Sequence, residues 1–179
     1  IPRYDKNSIV DFIKKHNFPT VESLCNYILS LKNDIDKLFA IFCWAALNIK
    51  YDVDAFFSDN IRSTTLEEVF NTKRAVCSGY ALFYKEMAKR AKINTKKIKI
   101  HEYSNLSKAY GFDPLNPPKN VESDHASIYL EIDGVPFISE PTWASGSIDK
   151  NKKFSQYFNP QYFLIPIFQS LNDHYPVDE

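Results

Sequence analysis

"IYLEIDGVPFISEPTW", residues 128–143, places two apolar runs on either side of Asp133-Gly134. Both central positions of a type I′ turn need positive φ, and Asp-Gly supplies it readily, so the stretch reads as a tight antiparallel hairpin. A two-residue turn also sets the register. With Ile132 opposite Val135, Leu130 faces Phe137, Ile128 faces Ser139 and Ala126 faces Pro141, which makes one face apolar. The other face holds His125, Ser127, Tyr129 and Glu131 against Thr142, Glu140, Ile138 and Pro136. There Glu140 stands opposite Ser127 and diagonal to His125, roughly 7–8 Å away at the backbone and within reach of a long side chain. A carboxylate beside an imidazole holds the ring in one tautomer and stabilises the imidazolium that forms when the ring takes a proton. The hairpin by itself therefore nominates His125 and Glu140 as a pair.

The partner such a pair would activate is sought upstream, in "NTKRAVCSGYALFYKEMAKRA", residues 71–91. Tyr80, Phe83, Tyr84, Met87, Ala88 and Ala91 recur at three- and four-residue steps, which predicts a helix with one buried face starting near Cys77. Unpaired amides at a helix N-terminus favour a thiolate, and Lys73 and Arg74 add basic character nearby. The Cys77 amide would also point at a carbonyl under attack, giving half an oxyanion hole. On these residues alone the plainer reading stays open, because free cysteine is among the most buried residue types. Cys25 and Cys43 fall in helix interiors and read as spectators.

Three helices precede that one. "TVESLCNYILSLK", residues 20–32, has Thr20 as N-cap and Leu24, Ile28 and Leu31 on one face. "DIDKLFAIFCWAALNI", residues 34–49, is apolar almost all round and so is buried on most sides, with Cys43 and Trp44 in the core. "STTLEEVF", residues 63–70, offers a capping box from Thr64 to Glu67. After the cysteine helix the period changes to two in "KKIKIHEY" and "ASIYLEID", which are strands. The connection between them, "NLSKAYGFDPLNPPKNVESD", is longer than most structureless loops; such loops serve as lids or binding loops, and Pro114, Pro117 and Pro118 would stiffen it. The aromatic tail from Phe154 to Pro176 is expected to add a strand or two.

Composition narrows the function classes. Twenty-two basic residues balance twenty-two acidic ones without a clustered run, which argues against a nucleic-acid footprint. No apolar run approaches the ~20 residues of a membrane span. Three cysteines cannot all pair and lack zinc-site spacing, which points to a reducing, cytoplasmic setting. "YDVDAFFSDN" lacks the spacing and central glycine of a calcium loop, and Gly79 and Gly111 belong to no phosphate-binding fingerprint. No metal or cofactor is implied. Residues 1–179 are expected to form one domain, and the start at Ile1 reads as an excerpt from a longer protein.

The order of these motifs resembles the transglutaminase-like superfamily and, within it, the kyphoscoliosis peptidase family. The matching stretches are "IFCWAALNIKYD", "LEEVFNTKRAVCSGYALFYKEMAKRAKI", "SKAYGF", "DHASIYLEIDGVPFISEPTWASGSID" and "YFLIPIFQSLNDHYP". The resemblance implies an α+β, papain-like fold with the nucleophile-bearing helix packed on an antiparallel sheet. It implies a triad of Cys77, His125 and Glu140, and it brings the segment of Trp44, Asn48 and Tyr51 near the cleft as candidates for the second oxyanion donor. Two departures stand out: "SEPTW" carries Glu where the family usually has Asp, and "HASI" replaces the more common "HAWN".

Two functions follow from the resemblance. One is a cysteine-dependent acyl-transfer enzyme acting on amide bonds of a protein or peptide, as peptidase, deamidase or transglutaminase, through a thioester. The other is a catalytically silent module that binds a protein partner, for instance a cytoskeletal one, through the cleft or the 103–124 loop. The retained cysteine and histidine favour the first.

Overall fold

A computed structural model describes residues 2–58, 60–108, 113, 115–116 and 122–177. The N-terminal half is helical: α1 (Lys6–Lys15), α2 (Val21–Ser30), α3 (Asp34–Asn48), α4 (Val53–Phe57), α5 (Leu66–Thr72) and α6 (Cys77–Arg90), with short strands β1 (Lys50–Tyr51) and β2 (Arg74–Ala75) between them. The C-terminal half is mostly strand: β3 (Ile98–Ser107), β4 (His125–Ile132), β5 (Val135–Ser139), β6 (Gly146–Ile148), β7 (Phe154–Gln156), β8 (Ile165–Pro166) and β9 (His174–Pro176), with α7 (Pro141–Ser145) and α8 (Ile167–Ser170) interposed. The expected α+β class, with helices leading into an antiparallel sheet, holds.

Local chemistry accounts for most boundaries. The Thr20 hydroxyl accepts from the Ser23 amide and completes a capping box with the Ser23 side chain. The α5 cap falls one residue later than expected, on Thr65, whose hydroxyl accepts from the Glu68 amide. Thr64 instead donates its hydroxyl to the Glu68 carboxylate. Leu38 through Ala46 of α3 are all buried, as an apolar surface on every side requires. Around α3 pack α1, α2, α6 and α7. The first helix, α1, lies outside the sequence expectation; Ile9 and Ile13, one turn apart, bury its inner face, and Asp5 caps it.

The five-stranded sheet runs β8-β5-β4-β3-β9, every neighbour antiparallel. At its centre the turn is as expected, with φ of 48° at Asp133 and 80° at Gly134. The β4–β5 register pairs Ile132 with Val135, Leu130 with Phe137 and Ile128 with Ser139. The ladder stops there, so the expected pairing of Ala126 with Pro141 does not form. Proline lacks the amide a ladder needs and suits the first turn of a helix, so Glu140 becomes the N-cap position and Pro141 opens α7. On the other side β3 runs through Ser107, which converts Asn105, Leu106 and Ser107 from the expected loop into strand. Residues 109–112, 114 and 117–121 of that loop, including the three prolines, lie outside the described residues. The tail contributes three short strands rather than one or two.

Gly146 is required by geometry. At φ 149° it turns the chain from α7 into β6, and a Cβ there would overlap the Ser155 carbonyl oxygen of β7. Gly146→Ala should therefore destabilise the protein by about 2 kcal/mol or more. An unchanged urea midpoint would contradict that packing.

Candidate active site

Helix α6 begins at Cys77, after an N-cap Val76 that provides no side-chain cap. The first amides of this helix therefore face outward without an intrahelical acceptor. Its position is set by the parallel β1–β2 pair, in which the Lys50 amide donates to the Lys73 carbonyl at 2.8 Å and the Asp52 amide to the Ala75 carbonyl at 2.9 Å. This pairing sets Tyr51 across from Ala75, beside the start of α6. Gly79 permits the close approach, since a Cβ there would lie 2.7 Å from the Ala75 Cβ. One turn into α6, the buried Tyr80 hydroxyl donates to the Ile49 carbonyl at 2.7 Å and lies 3.0 Å from Ser145 Oγ, tying α6 to α7.

Helix α6 packs on β4, whose first residue is His125. The His125 ring is within hydrogen-bonding reach of the Cys77 side chain. Its Nε2 lies 3.0 Å from Glu140 Oε2, so the diagonal read from the hairpin register is a direct contact. Ser127, one residue beyond the last ladder pair, donates its hydroxyl to Oε1 and accepts from Asn105 Nδ2 at 2.8 Å. Glu140 has no exposed surface, and His125 is 7% exposed. Cys77 itself is partly exposed.

A second histidine joins them. His174, at the start of β9, is 1% exposed, and its Nε2 lies 3.1 Å from Glu140 Oε1. The approach is bent, and among the described residues neither His174 ring nitrogen has a well-aligned hydrogen-bond partner. Trp143 covers both rings, with centroids 4.4 Å from His174 and 5.7 Å from His125. The ligating atoms of His125, Glu140 and His174 all lie within 4.8 Å of one another, so this trio is also where a divalent cation would find nitrogen and oxygen donors.

The charges are coupled. Burial alone would lower the His125 pKa, but the Glu140 carboxylate and the Cys77 side chain outweigh it and raise the imidazole to about 10. Burial likewise pushes the Glu140 carboxyl up, and His125 and then His174 overcome this and hold it near 2. Desolvation raises Tyr51, with Cys77 adding to the effect, so its phenol stays protonated at neutral pH. In the core, burial pushes the Cys43 thiol well above its ordinary range.

A cleft of about 300 Å³ opens over His125. Its walls are largely aromatic, with Tyr51, Phe56, Trp143, Tyr157 and Tyr162 among them. Of the three residues considered for the second oxyanion donor, Tyr51 reaches this cleft. Trp44 does not: it is 1% exposed and stacked between Phe70 and Phe83 at 4.8 Å from each. Nor does Asn48, whose amide donates back to the Trp44 carbonyl at 3.0 Å. The two cations expected near the thiol are engaged elsewhere. Lys73, in the left-handed conformation that ends α5, lays Nζ over the Trp44 and Phe70 rings at 4.2 and 3.7 Å, while Arg74 bonds Asp52 and Asp54.

Sequence comparison matches residues 22–128, from α2 to the middle of β4, to the family model of the transglutaminase-like superfamily. The chain belongs to this superfamily. The match takes in Cys77 and His125 and stops short of Glu140 and His174. Among curated proteins, the chain is 28% identical over 165 residues to the kyphoscoliosis peptidase of Mus musculus, covering 88% of this chain. It is 26% identical over 158 residues to the kyphoscoliosis peptidase of Homo sapiens, covering 87%. The chain spans about a quarter of the length of these relatives, 24% and 23% respectively. No helix among the described residues is long and apolar enough to cross a membrane.

Proposed function

We propose that the protein is a cysteine-dependent acyl-transfer enzyme acting on amide bonds of a protein or peptide, with Cys77 as nucleophile, His125 as acid and base, and Glu140 as the group that orients His125. The observation that supports this most is the buried Glu140 carboxylate 3.0 Å from a histidine that also reaches a partly exposed cysteine at a helix N-terminus. In this reading the Cys77 thiolate attacks the amide carbonyl carbon and the carbonyl electron pair moves onto oxygen. The Cys77 amide and the Tyr51 hydroxyl donate to that oxyanion. Collapse breaks the C–N bond, and the amine leaves with the proton of His125. Neutral His125 then takes a proton from water, or from a primary amine, as it attacks the thioester, and the thiolate departs. The site thus performs hydrolysis or transfer according to which nucleophile the cleft admits. The relatives named as peptidases are consistent with hydrolysis, and three unpaired cysteines are consistent with a reducing compartment such as the cytosol.

The test uses p-nitrophenyl acetate and intact-mass spectrometry. One acetyl group per chain should appear on Cys77, ahead of Cys25 and Cys43, and should be lost in Cys77→Ala and at least tenfold slower to form in His125→Ala. Adding cadaverine divides the product between acetate and the acetylated amine, which distinguishes hydrolysis from transfer. Acetylation spread evenly over the cysteines would overturn the proposal. With the phenol as an oxyanion donor, Tyr51→Phe should slow acylation by about 100-fold or more.

A further inference from the structure

We infer that His174 is a positioning residue for Glu140, so that the site works as a four-member chain of Cys77, His125, Glu140 and His174. This rests on the acyl-transfer reading above. It assigns a role to a side chain that no sequence motif nominated.

A buried imidazole without good hydrogen bonds is costly, and such a group is retained where it serves another. His174 is 1% exposed, its two nitrogens lack aligned partners among the described residues, and the polar atom it meets is Glu140 Oε1 at 3.1 Å. The carboxylate is thereby held at both ends. Oε1 meets the Ser127 hydroxyl and His174, which leaves Oε2 aimed at His125. Glutamate has one more rotatable bond than aspartate and loses more rotamer freedom when held in one geometry. A second histidine on the far oxygen supplies the restraint that the longer side chain needs.

The placement of His174 is a product of the fold. Strand β9 pairs with the end of β3 through Ser107–His174, Leu106–Tyr175 and Asn105–Pro176, and the Lys108 amide donates to the Asp173 carbonyl at 2.9 Å. The same end of β3 provides Asn105, which bonds Ser127. Trp143, three residues after Glu140, packs on the His174 ring and closes that side. Among the described residues, the titratable groups acting on the cluster include Cys77 from α6, His125 from β4 and Glu140 at the start of α7, with Tyr162 from the 3₁₀ turn Pro160–Tyr162 feeling both Glu140 and Asp173.

The test compares His174→Phe, which keeps a ring without nitrogens, with His174→Gln, whose amide nitrogen falls near the position of Nε2. The readout is the rate of Cys77 alkylation by iodoacetamide from pH 5 to 9, with thermal midpoints measured alongside. In His174→Phe the rate at pH 6 should fall at least about threefold, and its rise from pH 6 to 8 should steepen to about tenfold or more, because a loosened carboxylate supports His125 less well. His174→Gln should restore the wild-type profile to within about twofold. A merely structural role would lower the midpoint and leave the profile of the folded protein unmoved, and that result overturns the inference. Should His174→Phe not fold, His174→Asn, whose shorter amide does not reach Glu140, takes its place in the comparison. Wild-type Cys77 reacting like a free thiol would instead overturn the acyl-transfer reading, so the two failures are distinguishable.

Discussion

Cys77 should react with iodoacetamide at a rate that changes less than about threefold between pH 6 and 8, whereas a free thiol, with its pKa near 8.5, speeds up about 100-fold over that interval. The expectation rests on His125. Glu140 and Cys77 raise its pKa to about 10 against the opposing effect of burial, so the ring carries its proton throughout that range and loses it only as pH rises through the raised value. In the proposed mechanism that imidazolium is the fixed positive charge beside the Cys77 sulfur. The gain in rate at pH 6 is modest, about 5- to 10-fold over a free thiol, because a stabilised thiolate is also a weaker nucleophile. The pH profile therefore discriminates better than the rate. In His125→Ala the flat profile should give way to the free-thiol slope. Cys43, with its thiol pushed up by burial, serves as the inert internal control. A Cys77 profile that is steep in the wild type, or identical without His125, would sink the proposed activation.

Removing the Glu140 side chain should cost about 3–5 kcal/mol of folding stability in Glu140→Ala, since it strands Ser127, His125 and His174 around a buried void. Glu140→Gln keeps the volume and loses the charge, and should cost about 1–3 kcal/mol. The pH dependence separates the charge from the packing. The Glu140 pKa is depressed from 4.5 to about 2, so its contribution is fully present above about pH 4.5 and is lost as pH falls toward 2. The His125 pKa is raised from 6.5, so the same interaction, seen from its other partner, is fully present below about 6.5 and is lost as pH rises through about 10. The difference in urea unfolding free energy between wild type and Glu140→Gln should therefore be largest between about pH 4.5 and 6.5 and shrink on both sides. A difference independent of pH would mean that shape and not charge holds this cluster.

Much of this site can be read along the chain. Asp133-Gly134 sets both φ angles of its turn, and with them the register as far as Ile128–Ser139, next to which the Glu140 side chain meets Ser127 and His125. The three- and four-residue apolar steps after Cys77 mark where α6 starts. Other readings failed because neighbours in sequence need not share surroundings. Lys73 lies close to Cys77 along the chain, yet the left-handed residue that ends α5 sends its side chain over Trp44 and Phe70. Trp44 and Tyr51 belong to one segment, but one lies in the core and the other lines the cleft. His174 sits in a three-residue strand, too short for alternation to show which way it faces.

By itself, the sequence determined the helix that presents Cys77, the hairpin register and the His125–Glu140 contact, because turn dihedrals, caps and side-chain periodicity act over a few residues. Only the tertiary structure decided that Cys77 meets His125, that Tyr51 joins the cleft and that His174 closes on Glu140. Those contacts come from packing α6 against β4, β1 against β2 and β9 against β3. Long-range burial and strand pairing set such contacts, and no local pattern in the chain records which distant partner satisfies them.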